Sequence, residues 1–248
     1  LKIPKSALTL LSPLVFLLLW QLASAYANSP ALPTPSAVAL IVWQAMLTGE
    51  LGYHLGVTLL RLLASFSIAM PLGSAIGIIL GRNKALDAFF DNWLIIFLNI
   101  PALVTIILCY VWFGLAESAA ILAVVINKLP NVVVTLREGA RALDQDLLDM
   151  AQSYRFSIRK QLVHVIWPQL HPFIMSATRS GLALTWKIIL IVELLGRSNG
   201  IGYQLHLFFQ MFDVASILAY TIAFVTVIQG LEWAVLKPLE RNQTKWRR

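Results

Sequence analysis

Long runs without a charged residue alternate with short polar connections along the chain. Residues 7–27 form the first such run, 21 positions, and about 20 apolar residues suffice for a helix to cross the hydrocarbon of a bilayer. No small-residue cleavage site follows a short core, so the run reads as a retained span rather than a signal peptide. Pro30, Pro33 and Pro35 stop it, because proline lacks the amide and clashes with the preceding turn. A short interfacial helix is expected over 36–48, capped by Ser36 and carrying Val38, Ile41, Val42 and Ala45 on one face. Further spans are expected over 55–81, within 92–116 with a bend at Pro101, over 118–136, over about 171–195 and over 214–236. The fourth contains Lys128 and Pro130, and the fifth contains Arg179, Lys187 and Glu193, which makes these two the irregular pair. No period-two alternation is left over for strands. The expected fold is an all-α polytopic membrane bundle of about six transmembrane helices, a single transmembrane domain over 1–248.

Composition agrees with this pattern: 58% of the 248 residues are apolar and 12% are charged, about half the charged share of a soluble domain. The net charge of +7 gains its meaning from position, because Lys and Arg concentrate in cytoplasmic connections of membrane proteins. With the N-terminus inside, the inner segments carry Lys2, Lys5, Arg82, Lys84, Arg137, Arg141, Arg155, Arg159, Lys160, Lys237, Arg241, Lys245, Arg247 and Arg248, 14 of the 19 basic residues. The outer segments hold Arg197 with Glu50, Glu117 and Asp213. Both termini are therefore expected in the cytoplasm, and the positive charge calls for no nucleic-acid partner. Cys109 is the single cysteine and the four histidines never form HxxxH, so neither a disulfide framework nor a metal site is expected.

Ser65, Ala69, Gly73, Gly77 and Gly81 recur every four residues along the second span. Such a stripe lets another helix approach closely, and packing inside one bundle is favoured over a subunit interface. The largest polar connection, about 137–170, is too long for a plain tether. Asp144 can cap a helix there that carries Leu147, Met150, Ala151 and Tyr154 on one face, with Asp146 and Asp149 near its positive end. Ser157 can start a second helix over 158–166, ended or bent by Pro168.

This loop resembles the coupling loop of ABC importer permeases, whose pattern is EAA, three residues, Gly, nine residues, then I-x-L-P. Asp149, Met150 and Ala151 stand at the EAA positions, Arg155 at the Gly position, and Val165, Trp167 and Pro168 at I-x-L-P. Arg155 is expected to take an ordinary backbone conformation where Gly would permit a tight turn. Leu32-Pro33-Thr34-Pro35-Ser36, Thr58-Leu59-Leu60-Arg61, Ile100-Pro101-Ala102, Trp112-Phe113-Gly114 and Gly200-Ile201-Gly202-Tyr203 extend the resemblance to permeases of the nitrate, sulfonate and taurine type. That resemblance implies a bacterial-type inner (plasma) membrane protein working as a homodimer, with cytoplasmic ATP-binding subunits and an extracytoplasmic solute-binding protein. It leaves nitrate, bicarbonate, sulfonates and small organic compounds open as the solute, moved inward by alternating access; Lys128, Arg179 and Lys187 against the one carboxylate Glu193 in the fourth and fifth spans would make the path electropositive and favour a small anion or carboxylated compound.

No GxxxxGK[ST] phosphate loop is present, so no cofactor is expected on this chain, and ATP and Mg belong to the partner ATPase. The dock would use Leu147, Met150 and Tyr154 in a groove, with Asp146, Asp149, Arg159 and Lys160 at its rim, while Ala151, Arg155 and Pro168 complete the loop. A mid-span cation costs about 2.5–3.5 kcal/mol, which makes Lys128 and Lys187 candidates for the translocation path together with Trp186 and Glu193. The alternative is that one of the lysines pairs with Glu193 inside the bundle. Arg61 and Arg179, nearer the span ends, read as snorkelling anchors. An intramembrane hydrolase or lipid transferase would need a catalytic cluster, and Ser180, Lys187 and Glu193 form no recognisable one. An ion-coupled carrier would need mid-span carboxylates, which are scarce here.

Overall fold

Apolar periodicity alone builds a helical bundle in this chain, because a backbone in lipid must satisfy its own polar groups. The computed structural model describes residues 5–236; Lys2, Lys237, Arg241, Lys245, Arg247 and Arg248 of the charge count lie outside the described residues. Within them the helices are α1 (Lys5–Ala27), α2 (Pro35–Leu47), α3 (Glu50–Arg82), α4 (Lys84–Asn99), α5 (Ala102–Phe113), α6 (Glu117–Arg141), α7 (Gln145–Ser153), α8 (Ile158–Gln161), α9 (Trp167–Gly196), α10 (Ile201–Gln210) and α11 (Val214–Leu231). No strand occurs among the described residues.

Three helices among the described residues, α3, α6 and α11 with its continuation to Ala234, are long and apolar enough to cross a membrane alone. The 30 residues of α9 extend about 45 Å but carry Arg179, Lys187 and Glu193. The span expected within 92–116 is not one gently bent helix: α4 and α5 meet at 93°, since Pro101 cannot continue the helix and fixes the residue before it as extended. Neither half crosses alone; the pair has the shape of a broken span or a re-entrant loop. The interfacial helix starts one residue earlier than expected, with Thr34 as its cap, accepting from the Ala37 amide at 3.2 Å, and Pro35 as first residue. Proline is favoured there because that amide has no helical partner.

The small-residue stripe of α3 faces α6 within the same chain, as the packing reading expects. A Cβ on Gly73 would come within 2.7 Å of Val132 Cβ, and one on Gly77 within 2.6 Å of the Val133 carbonyl oxygen. Two apolar cores flank this seam. One joins α3, α5, α6 and α9 around Ile106, Cys109, Ala123, Val124 and Ile189; the other joins α2, α3, α10 and α11 around Leu51, Ile201, Tyr220 and Phe224. Helix α1 stands apart, tied to the segment before α2 by Trp20 Nε1 donating to the Pro33 carbonyl at 3.0 Å and by Ser24 Oγ donating to the Leu32 carbonyl at 2.7 Å. At the other end of the bundle Arg137 and Arg141 bind Asp87, and Arg137 also binds Asp91 at 2.6 Å, which fastens α4 to α6.

Candidate functional site

Between α6 and α9 lies the loop that resembles a coupling element. Asp144 caps α7 by accepting from the Asp146 and Leu147 amides at 2.9 and 3.3 Å. Helix α7 is amphipathic, but its two faces divide the residues differently from expectation. Leu148 and Ala151 are buried against Val165 and Leu170, whereas Leu147, Met150 and Tyr154 are 41%, 40% and 74% exposed. Ala151 therefore belongs to the anchoring face and not with the other three. Asp146 and Asp149 are exposed beside them, as are Arg155, Arg159 and Lys160, and Asp149 accepts from Gln145 at 2.9 Å.

Arg155 does not take the ordinary conformation expected of it. Its φ is 52°, in the left-handed region, and its amide donates to the Gln152 carbonyl while the Phe156 amide donates to the Ala151 carbonyl, both at 2.9 Å. This paired arrangement closes a helix C-terminus and normally employs glycine. Phe156 then packs into the cluster that holds Ala151 and Leu148. The tight turn is thus kept, with an arginine bearing its conformational strain.

Pro168, expected to end or bend the second loop helix, does neither alone. From Ile158 the chain runs helically through a wide π-turn, Leu162–Ile166, directly into α9, where Pro168 occupies the first turn and is exposed. The Trp167 amide reaches back to the Leu162 carbonyl. A π-turn accommodates one extra residue in the hydrogen-bond ladder, which suits a proline that cannot donate. Helix α8 is consequently continuous with the long helix α9, and α7, closed off at Arg155, is joined to them by the packing of Leu148 and Ala151 against Val165 and Leu170.

At the opposite end of α9 Glu193 is fully buried, and its partner is Arg61 rather than either lysine. Arg61, expected as a snorkelling anchor, is itself 4% exposed. Its Nη1 donates to Glu193 Oε1 at 2.8 Å and its Nε to Glu117 Oε1 at 2.5 Å; Nη1 reaches the Asn199 carbonyl at 2.9 Å, and Nη2 the Asn199 side chain. Glu193 Oε2 accepts from the Gly202 amide at 2.8 Å and from the Thr58 hydroxyl at 3.0 Å. A Cβ on Gly200, whose φ is 104°, would overlap the Glu193 carboxylate. Gly200-Ile201-Gly202 is therefore the cradle for this carboxylate, and α10, which the hydrophobic pattern does not announce, is held by it. His54 Nδ1 accepts from the Gly200 amide at 3.0 Å, and Arg197 binds Glu117 at 2.7 Å. The whole cluster joins α3, α6, α9 and α10 and encloses the Glu193 carboxylate.

Lys128 is likewise enclosed, at 2% exposure. Its Nζ donates to the Ala177 carbonyl at 3.2 Å and lies over Gly181, where a Cβ would overlap it. No carboxylate lies within ion-pair distance of it among the described residues. The seam between α6 and α9 holds Lys128, so its amine does not line an open surface of the chain. Lys187 is exposed, its Nζ 5.4 Å from the Trp186 ring, and that ring meets Phe224 edge-on at 5.7 Å. Trp186 also borders an open cavity of about 390 Å³ shared with Ser176, Arg179, Ser180, Ala183 and Glu232. Of the four expected path residues the structure leaves Trp186 and Lys187 on accessible surface and sequesters Lys128 and Glu193.

Comparison with known proteins agrees with this architecture. The family described as binding-protein-dependent transport system inner membrane component matches residues 69–234. The putative aliphatic sulfonates transport permease protein SsuC of Escherichia coli is 31% identical over 94% of this chain and 89% of its own length. Its counterpart of the same name in Bacillus subtilis is 30% identical over 96% and 87%. The bicarbonate transport system permease protein CmpB of Synechococcus elongatus is 28% identical over 84% and 78%.

Proposed function

Because the chain belongs to the family of binding-protein-dependent transport system inner membrane components, we propose that it works as one half of a permease dimer driven by a separate ATPase. As a permease component of this family it is a transporter subunit of the inner membrane and not itself an enzyme. The solute is a small anion of the sulfonate, taurine or bicarbonate kind, delivered by a solute-binding protein on the outer side, and both termini lie in the cytoplasm. ATP and Mg act on the ATPase subunits, and this chain converts their closure into alternating access.

One observation supports the docking part of this reading above the rest. Leu147, Met150 and Tyr154 are exposed on a helix whose opposite face is anchored by Leu148 and Ala151. Apolar side chains held out on a rigid polar loop suit a groove on a partner, with Asp146, Asp149, Arg159 and Lys160 as a polar rim. Motion of α7 passes through the π-turn into α9, whose accessible face carries Trp186 and Lys187. That face supports a path formed between two copies, since exposed cations and serines on a transmembrane helix avoid lipid.

The test is site-specific crosslinking from Met150 and Tyr154 in cells that also make the neighbouring ATPase. Adducts with the ATPase at both positions are expected, together with loss of ATPase co-purification on combining Leu147→Asp with Met150→Asp. Adducts with lipid alone, or unchanged co-purification, would overturn the dock.

A further inference from the structure

A belt of neutral polar side chains crosses the middle of the bundle, open on α6 and, on α9, bordering a cavity that Ile228 and Glu232 also line. Asn127 is half-buried, and Asn131, Ser176 and Ser180 are exposed, although α6 is otherwise apolar enough to span a bilayer. Three of the four donate once within their own helix: Asn127 Nδ2 to the Ala123 carbonyl at 2.8 Å, Asn131 Nδ2 to the Asn127 carbonyl at 3.4 Å, and Ser180 Oγ to the Ser176 carbonyl at 2.9 Å. Among the described residues no other hydrogen bond reaches the two carboxamides.

These residues share one side of the α6–α9 pair. Lys128 meets Ala177 and Gly181 while Gly139 meets Phe173, so the helices run antiparallel. At about 100° per residue, Asn127 and Asn131 lie roughly 60–100° from the Lys128 contact line, and Ser176 and Ser180 roughly 100–140° from Gly181 in the same rotational sense. In an antiparallel pair equal senses of rotation open on the same side. The opposite side of α6 is taken by α3, through Gly73 and Gly77. The contact at Lys128 also places all four residues at one depth, near the middle of both helices.

Lipid is a poor neighbour for this belt, since hydrocarbon offers an unsatisfied polar group no partner. Ser176 and Ser180 also border the open cavity of about 390 Å³, so the belt continues into space large enough for water. We propose that Asn127, Asn131, Ser176 and Ser180 form the wet midpoint of the translocation path, a neutral hydrogen-bonding track for an oxygen-rich solute that keeps part of its hydration. This rests on the importer reading above. Carboxamides and hydroxyls hold such a solute weakly enough to release it, while the enclosed Lys128 stays behind the surface and makes no direct contact.

Single cysteines test the track without knowledge of the solute. Asn131→Cys, Ser180→Cys and, as a control in the apolar groove of α3, α4 and α6, Ile76→Cys are placed in a Cys109→Ser background and co-expressed with the ATPase. The membranes are then treated with a charged, water-soluble methanethiosulfonate, which reacts with the hydrated thiolate. Labelling at 131 and 180 about tenfold faster than at 76 is expected. Slow labelling at both track positions overturns the proposal. Oxidative disulfides between copies of the Asn131→Cys variant would then mark a dry subunit contact, and their absence would mark lipid. Equal labelling at 76 overturns it as well. ATPase co-purification measured on the same samples keeps the outcomes apart: its presence with unlabelled cysteines defeats the track alone, and its absence from the parent protein defeats the importer reading.

Discussion

Replacing Arg61 by methionine removes the side chain that joins Glu117 and Glu193. Two contributions of different size are at stake. Glu117 is 47% exposed, so its pair with Arg61 is screened by solvent and contributes about 0–1 kcal/mol. Glu193 is fully enclosed, and depriving a buried charge of its partner costs about 3–5 kcal/mol. The Gly202 amide and the Thr58 hydroxyl remain on Oε2 and soften the loss without supplying a charge. Arg61→Met is therefore expected to cost about 3–5 kcal/mol, and Glu117→Gln about 1 kcal/mol or less. Adding Glu193→Gln to Arg61→Met should recover part of the loss, because a neutral amide needs no counter-charge. The assay is thermal unfolding of the purified permease, with proteolysis between 197 and 213 as a local reading, since α10 hangs on this carboxylate. An Arg61→Met protein as stable as Glu117→Gln, or a double variant worse than Arg61→Met alone, would refute the electrostatic account.

Three other expectations follow from the same geometry. Arg155→Gly relieves a left-handed arginine and should stabilise the turn by about 1 kcal/mol, seen as slower amide exchange across 144–157; faster exchange would mean that the guanidinium makes a contact worth more than the strain. Gly77→Val drives a side chain toward the Val133 carbonyl and should cost about 1–3 kcal/mol or more, whereas Gly56→Ala, with open space around it, should leave the melting temperature unchanged; similar behaviour of the two would remove the stripe as the α3–α6 seam. Lys128→Met replaces an enclosed amine that has one hydrogen bond by an apolar chain of similar length, and the variant should melt no lower than the parent; a lower melting temperature would show that the amine has a binding role inside the seam.

The bundle was legible because lipid imposes a rule on every turn of a spanning helix. A backbone that must satisfy its own hydrogen bonds, in a solvent that rejects charge, leaves uncharged runs of the right length, and α3, α6 and α11 stand close to where those runs lie. The small-residue stripe was legible for the same reason: its period is the helix's own. Breaks in the rule are visible in the sequence but understated by it. Pro101 signals a bend, yet the size of the turn, 93° between α4 and α5, is not something a local pattern records. The loop is similar. Spacing locates the turn at Arg155, but residue preference argues for the wrong backbone, since the paired hydrogen bonds and the packing of Phe156 override it.

Charge pairing was the least legible part, and for a definite reason. Arg61 and Glu193 are 132 positions apart, and nothing periodic connects them; proximity along the chain favours Lys187 as the partner instead. Lys187 is six residues before Glu193, and on a helix that offset turns the two side chains about 120° from full registry, away from each other. Position along a span is equally weak evidence of exposure, as Arg61 reads as an anchor only because it lies near a helix end. A better signal is present in Gly200-Ile201-Gly202. A carboxylate inside a membrane bundle needs donors as well as a counter-charge, and of two glycines spaced around one residue, just past the end of the helix that carries the carboxylate, the first leaves room for it and the second offers a bare amide. That pairing of an intramembrane Glu with a nearby Gly-x-Gly points to an enclosed acid before any cation is assigned to it.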